Sequence, residues 1–126
     1  MYLIDTDVLI DVLRGMKEAK EFLLEIADEG LFISVITLSE LLSGKETRDP
    51  VKKEKLLRFL RKHFQILPID EEIGILGGEI RRDYNIGLGD AIIAATAIVH
   101  GLSVVTGNIR HFSKVEGLRV IKPPYR

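Results

Sequence analysis

Apolar positions along this chain fall into short continuous runs that alternate with stretches of helical period. Tyr2–Ile4, Leu31–Ile36, Phe64–Leu67 and Ser103–Val105 are brief and flanked by polar residues or glycine, as strands buried on both faces are. Leu118–Ile121, shortly before Pro123 and Pro124, adds a fifth strand at an edge. Between them the spacing predicts helices. Val8–Leu13 is the first, ended by Gly15, and Lys17–Asp28 is the second, with Ala19, Phe22, Leu23 and Ile26 on one face and Gly30 as its stop. Leu38–Leu42 follows, then a helix that starts at Pro50 after Asp49 and runs to about Lys62. Glu71–Tyr84 and the nearly all-apolar Asp90–His100 complete the series. Strands alternating with helices predict an α/β fold, a three-layer α/β/α arrangement around a parallel sheet of four to five strands. No repeat or linker interrupts residues 1–126, which read as one domain able to bury roughly two-thirds of its unfolded surface.

In a parallel sheet the carboxyl ends of the strands share one rim, where α/β folds bind ligands. Three acids, Asp5, Glu40 and Asp90, each follow a predicted strand near the start of a helix. Each has an ordinary explanation. Asp90 after Gly89 reads as an N-cap, Thr37 and Glu40 as a capping box, while Asp5 is less easily dismissed because Thr6 or Asp7 already offers a cap. Caps alone do not predict that all three acids fall on the same rim. Thr106 and Asn108, just after Val104 and Val105, add a hydroxyl and an amide oxygen. Asp7 and Asp11 stay outside the set, since Asp11 points away from the rim if its helix begins near Asp7. Two carboxylates about 5 Å apart repel by about 3 kcal/mol at an effective dielectric near 20, and a helix N-terminus offsets only about 0.3–1 kcal/mol. Such a cluster calls for a cation.

Composition narrows which cation. The chain has no cysteine and three scattered histidines, His63, His100 and His111, which removes the usual zinc ligand sets and leaves an oxygen-bound hard ion, Mg²⁺ or Mn²⁺. Acids at Asp5, Asp7 and Asp11 interrupt any signal-peptide pattern, and no apolar run approaches the ~20 residues of a membrane span, so the cytoplasm is the expected location. The net charge of −1 hides an uneven distribution. Residues 48–63 carry seven basic residues (Arg48, Lys52, Lys53, Lys55, Arg58, Arg61, Lys62) against two acids, whereas residues 1–47 carry four against ten. This arm is either a solvated helix face over Leu56, Leu57, Phe59 and Leu60 or an approach for a polyanion such as RNA.

DTDVLIDVLRG (5–15), the SELLSG segment around Glu40, GLGDAIIAATA (87–97) and VVTGNIRHF (104–112) together resemble the PIN-domain nucleases, specifically VapC-type toxins of VapBC toxin–antitoxin pairs. The likeness runs from Tyr2 to about Val120. It implies that Asp5, Glu40 and Asp90 are the metal-binding acids, supported by Thr6, Thr106 and Asn108. It also implies a Mg²⁺-dependent ribonuclease in which a water activated beside the ion attacks an RNA phosphodiester, leaving a 5′-phosphate and a 3′-hydroxyl. A VapB-type antitoxin and a toxin homodimer are the partners it implies. This chain departs from the pattern at a fourth position, offering Asn108 where many relatives have Asp and His111 where others place an acid before Phe112, which leaves open one metal ion or two.

Two other readings compete. Asp5-Thr6-Asp7 after a strand mimics the nucleophile and acid–base pair of haloacid dehalogenase-type phosphatases, although the turn after Asp7 lacks glycine, apolar residues follow Asp90, and no well-placed lysine follows the third strand. The other is a catalytically poor RNA- or protein-binding module on the same fold, motivated by Asn108.

Overall fold

In the computed structural model, which describes residues Met1–Arg126, the apolar runs become β1 (Tyr2–Ile4), β2 (Leu31–Ser34), β3 (Gln65–Leu67), β4 (Ser103–Val105) and β5 (Val120–Ile121). All are parallel, in the order β3-β2-β1-β4-β5. The chain starts in the middle strand, builds outward to β3, then crosses back to the other side of β1. That reversal opens a crevice at the carboxyl ends of β1 and β4.

Seven helices pack around the sheet: α1 (Thr6–Leu13), α2 (Lys17–Ile26), α3 (Val35–Leu42), α4 (Pro50–His63), α5 (Glu71–Tyr84), α6 (Leu88–His100) and α7 (Ile109–Phe112). Side chains alternate across the strands, so consecutive residues feed different cores. Leu3, Val104 and Leu67 join a core with Ile73, Ile80 and the α6 run Ala91–Ala95. Ile4, Val105 and Ile33 join another with Val8, Leu9, Leu23, Leu60 and Phe64 of the α1, α2 and α4 layer. The result is the expected three-layer α/β/α fold. No helix is long and apolar enough to cross a membrane.

Several element boundaries differ from the expected ones, and three of the shifts move an acid. Helix α1 begins at Thr6 rather than Val8, with Asp5 itself as N-cap, so neither Thr6 nor Asp7 caps it. Polar residues fill its first turn, which conceals the start from hydrophobic periodicity. Helix α3 begins at Val35 rather than Leu38, because the buried Ser34 caps it by accepting the Ile36 N–H at 3.1 Å. Thr37 therefore lies inside α3, there is no Thr37–Glu40 capping box, and Glu40 sits well past the helix start. The β-branched run Ile33–Thr37 favours a strand by local preference, and the serine cap overrides it. Helix α6 begins at Leu88 with Gly87 as N-cap, which puts Asp90 in the first turn and not at the cap. Helix α2 ends at Ile26 and tightens into a 3₁₀ turn, Ala27–Glu29, before Gly30 at φ 94°. The 3₁₀ turn Lys45–Arg48 and the short α7 have no counterpart in the expected elements. Helices α4 and α5 and strands β1 and β4 keep their expected bounds to within a residue.

Helices α5 and α6 meet closely at Gly77, where a Cβ would come 2.7 Å from Ile92 Cδ1. Gly74, on the same helix, faces open space. Gly77→Val should lower unfolding free energy by about 1–3 kcal/mol through overpacking. Gly74→Ala should raise it by up to about 1 kcal/mol through helix propensity. Urea denaturation of the two variants checks the contrast.

Candidate active site

The rim above β1 and β4 is organised by Asp5. Register pairs Ile4 with Val105, and the Asp5 N–H donates to the Val105 carbonyl at 2.9 Å, so Asp5 and Thr106 leave their strands side by side. Both are buried, at 6% and 0% exposure. The Thr106 hydroxyl donates to Asp5 Oδ2 at 2.7 Å, and the Thr6 N–H donates to Asp5 Oδ1 at 2.8 Å.

The remaining candidates attach to this centre through their neighbours. On one side, the Thr6 hydroxyl donates to Glu40 Oε1 at 2.7 Å and lies 3.1 Å from the hydroxyl of buried Thr37, so the first turn of α1 hooks α3. On the other, the Asn108 N–H donates to Thr106 Oγ1 at 2.9 Å. Asn108 Nδ2 lies 2.9 Å from His111 Nδ1, which is 3.0 Å from Asp90 Oδ2. With its proton on Nδ1 the His111 ring donates to Asp90; with the proton on Nε2, Nδ1 accepts from Asn108. Glu40 Oε2 comes within 3.7 Å of the place a Cβ would take on Gly89, next to Asp90. All five candidates, Asp5, Glu40, Asp90, Thr106 and Asn108, thus belong to one polar chain along the crevice. The three carboxylates do not touch directly: Thr6 stands between Asp5 and Glu40, and Asn108 and His111 link Thr106 to Asp90.

A PIN-domain family model matches residues 2–118. The chain belongs to the PIN-domain family. It is 39% identical over 131 residues to Ribonuclease VapC10 of Mycobacterium tuberculosis, an alignment covering 99% of this chain and 93% of that relative. Among solved structures, a toxin-antitoxin complex from Klebsiella pneumoniae superposes with a TM-score of 0.81 at 34% identity, covering 98% of each chain. DNA-bound VapBC from Salmonella typhimurium gives a TM-score of 0.80 at 26% identity over 96% of each chain. The VapC-type likeness read from the motifs therefore extends over the whole chain and its fold.

For this PIN domain, the fit of a hard divalent ion turns on Asp5. Its carboxyl is pushed up to about 7, first by burial, then by the negative charge of Asp7, with Asp90 adding less; the hydrogen bonds from Thr106 and Thr6 pull the other way. A cation beside an acid in that position would favour its ionised form. No three acid or histidine side chains form a ready-made cage. Mg²⁺ is commonly held by one or two carboxylates and keeps several of its waters, so Asp5 with a single further acid is the set that would serve it. The donors around Asp5 are all oxygen or nitrogen, with no thiolate to favour a softer metal.

Asp7, left aside on sequence grounds, proves central: its Oδ2 accepts the Gly107 N–H at 3.0 Å, and its charge bears on Asp5. The signal available was its place two residues after Asp5 in a first helical turn. His111 also enters the chain of contacts, and its departure from the family pattern was the clue. Asp11 is buried and bound by Tyr125 and Arg126, partners more than a hundred residues away.

The Asp5 shift fixes a pH dependence for the metal-free protein. Its folded pKa, about 7, lies above the ordinary value of 3.8, so the protein gains protons on folding and this contribution to stability is complete below about pH 4. It is lost as pH rises through 7, with a total on the order of a few kcal/mol. Asp5→Asn should abolish that dependence and be the more stable protein at pH 8 without metal. Melting curves in chelator between pH 4 and 8 measure it, and Mg²⁺ should raise the wild-type melting temperature at pH 8 and leave that of Asp5→Asn nearly unchanged.

Proposed function

We propose that this PIN-domain protein is a Mg²⁺-dependent endoribonuclease, with Mn²⁺ as a substitute ion, and the toxin of a type II toxin–antitoxin pair acting in the cytoplasm. The observation that carries the reading is Asp5: a buried carboxyl at a sheet crevice, opposed by the charges of Asp7 and Asp90, whose ionised form a cation would stabilise. Similarity to a relative named a ribonuclease and to a toxin-antitoxin complex supports the reaction and the biological setting.

The chain's own residues divide the work. Asp5 and Asp90 supply the principal ligand oxygens. Thr106 and the Thr6 N–H fix the Asp5 carboxylate so that it meets an ion without reorganising. Glu40, aimed by the Thr6 hydroxyl, is a further ligand or orients the attacking water. Asn108 holds Thr106 through its backbone N–H and the His111 ring through its amide. When bound, the ion would acidify a water and stabilise charge developing on the phosphodiester.

The basic side chains of α4 and the preceding turn, Arg48, Lys52, Lys53, Lys55, Arg61 and Lys62, are exposed and make no ion pair within the chain; only Arg58 pairs, with Glu54 at 3.8 Å. They offer RNA a screened, salt-sensitive attraction toward the acidic pocket. A VapB-type antitoxin and a homodimer are the partners this reading carries.

The test is cleavage of total RNA by purified protein free of antitoxin, with mapping of the new ends. Activity should require Mg²⁺ or Mn²⁺, stop in chelator, and leave 5′-phosphates. Asp5→Asn and Asp90→Asn should each lose about 10³-fold in rate, the scale of several kcal/mol of metal-derived stabilisation. RNA binding without cutting would replace this reading with the binding-module one, and a phosphorylated Asp5 would replace it with the phosphatase one.

A further inference from the structure

After β5 the chain turns at Pro123–Arg126, with the Arg126 N–H donating to the Pro123 carbonyl at 3.1 Å, and two side chains return to α1. Arg126 grips buried Asp11 as a fork: Nε donates to Oδ2 at 2.8 Å and Nη2 to Oδ1 at 3.1 Å. The Tyr125 hydroxyl donates to the same Asp11 Oδ2 at 3.0 Å. Such planar, two-pronged charge-assisted pairing is directional and stiff. The hydrogen bond from Arg126 is the main reason the Asp11 carboxyl stays below the usual carboxylate range.

The same guanidinium reaches one turn along α1 to Asp7. Its Nη1 lies 3.4 Å from Asp7 Oδ2, and Nη2 contacts the Asp7 carbonyl at 3.4 Å. Asp7 Oδ2 also accepts the Gly107 N–H, while Oδ1 accepts the Val8 N–H at 2.8 Å. Both oxygens of this acid are engaged by the protein. Gly107 is held against Arg126 so closely that any Cβ there would overlap the guanidinium. Its two neighbours, Thr106 and Asn108, are the residues that engage Asp5 and, through His111, Asp90.

We propose that Arg126 is a positioning residue that pins Asp7 and Asp11, clamps the 106–108 loop onto α1, and withholds the Asp7 carboxylate from the metal pocket. The inference rests on the metal-dependent nuclease reading but concerns residues outside its ligand set. Arg126 makes its polar contacts with Asp7 and Asp11, not with Asp5, Glu40 or Asp90. Its effect is to keep the loop in register with Asp5 and to limit the negative charge facing the ion. Releasing it should therefore move two properties in opposite directions. A freed Asp7 makes the pocket more negative and binds a divalent ion more tightly, while a loosened Thr106 leaves Asp5 less well aimed and slows turnover. A residue that merely supported folding would weaken both together.

The experiment compares the full chain with Arg126→Met, Arg126→Lys, Asp7→Asn and the Arg126→Met/Asp7→Asn double variant, at a temperature where circular dichroism shows each folded. Mn²⁺ affinity is read by titration calorimetry, and kcat and KM by cleavage of a defined RNA at saturating ion. Arg126→Met should bind Mn²⁺ about threefold more tightly, the scale of one unscreened charge at the pocket edge. It should also lose about tenfold in kcat with KM changed less than about twofold. Arg126→Lys, which keeps the charge but not the fork, should fall between it and wild type. In the Asp7→Asn background the gain in Mn²⁺ affinity on removing Arg126 should shrink to what the lost guanidinium charge alone accounts for, the non-additivity expected of residues acting through one contact. Wild-type Mn²⁺ affinity and kcat in Arg126→Met would overturn the proposal, as would a gain in Mn²⁺ affinity of the same size with and without Asp7→Asn. Should Arg126→Met fail to fold, Arg126→Lys carries the test, and wild-type values for both quantities would overturn it. A wild type that binds Mn²⁺ but cuts no RNA would sink the ribonuclease reading, with the Mn²⁺ comparison still deciding the role of Arg126.

Discussion

The site depends on one buried contact, the Thr106 hydroxyl on the Asp5 carboxylate. It exists because β1 and β4 are adjacent and parallel with Ile4 opposite Val105, so the next residue of each strand must emerge beside the other. A one-residue slip would exchange the faces of β4, sending Val104 and Val105 into the wrong cores and turning Thr106 away from Asp5. The packing that specifies the register thus also places the chemistry. The contact also offsets part of the cost of burying a carboxylate between Asp7 and Asp90, a cost the protein itself does not remove.

Both helical layers converge on that contact. Helix α1, seated on one core by Val8 and Leu9, brings Thr6 and through it Glu40. Helix α6, whose residues Ala91–Ala97 are all buried, brings Asp90 on its first turn, and Gly77 of α5 leaves room for Ile92 of α6. An acid carried by so deeply packed a helix is fixed in place with little freedom to relax away from its neighbours. Side-chain oxygens carried on packed helices hold their geometry better than ones carried on loops.

Polar and basic side chains limit the negative charge on both sides of the crevice. Asn108 and His111 link Thr106 to Asp90 without adding a carboxylate to that side of the crevice. On the opposite side, Arg126 answers Asp7 and Asp11. Asp5 is left as the buried acid whose ionisation its burial and its acidic neighbours oppose.

Much of this was legible in the sequence, because strand runs, helical period and the Pro50 and Gly30 signals are local. The same alternation implied a parallel sheet, and a parallel sheet places Asp5 and Thr106 on one rim. Where local signals were ambiguous the reading slipped: Gly87 caps α6 with no side chain to announce it, and Ser34 ends a run whose β-branched residues favour a longer strand. What only the tertiary structure decided is which polar groups meet. Thr6 on Glu40, Gly107 on Asp7 and Arg126 on Asp11 join residues 34 to 115 positions apart. Hydrophobic periodicity reports which way a side chain faces relative to its own helix or strand. Which polar partner it meets there is set by strand order and layer packing, which no local stretch of sequence contains.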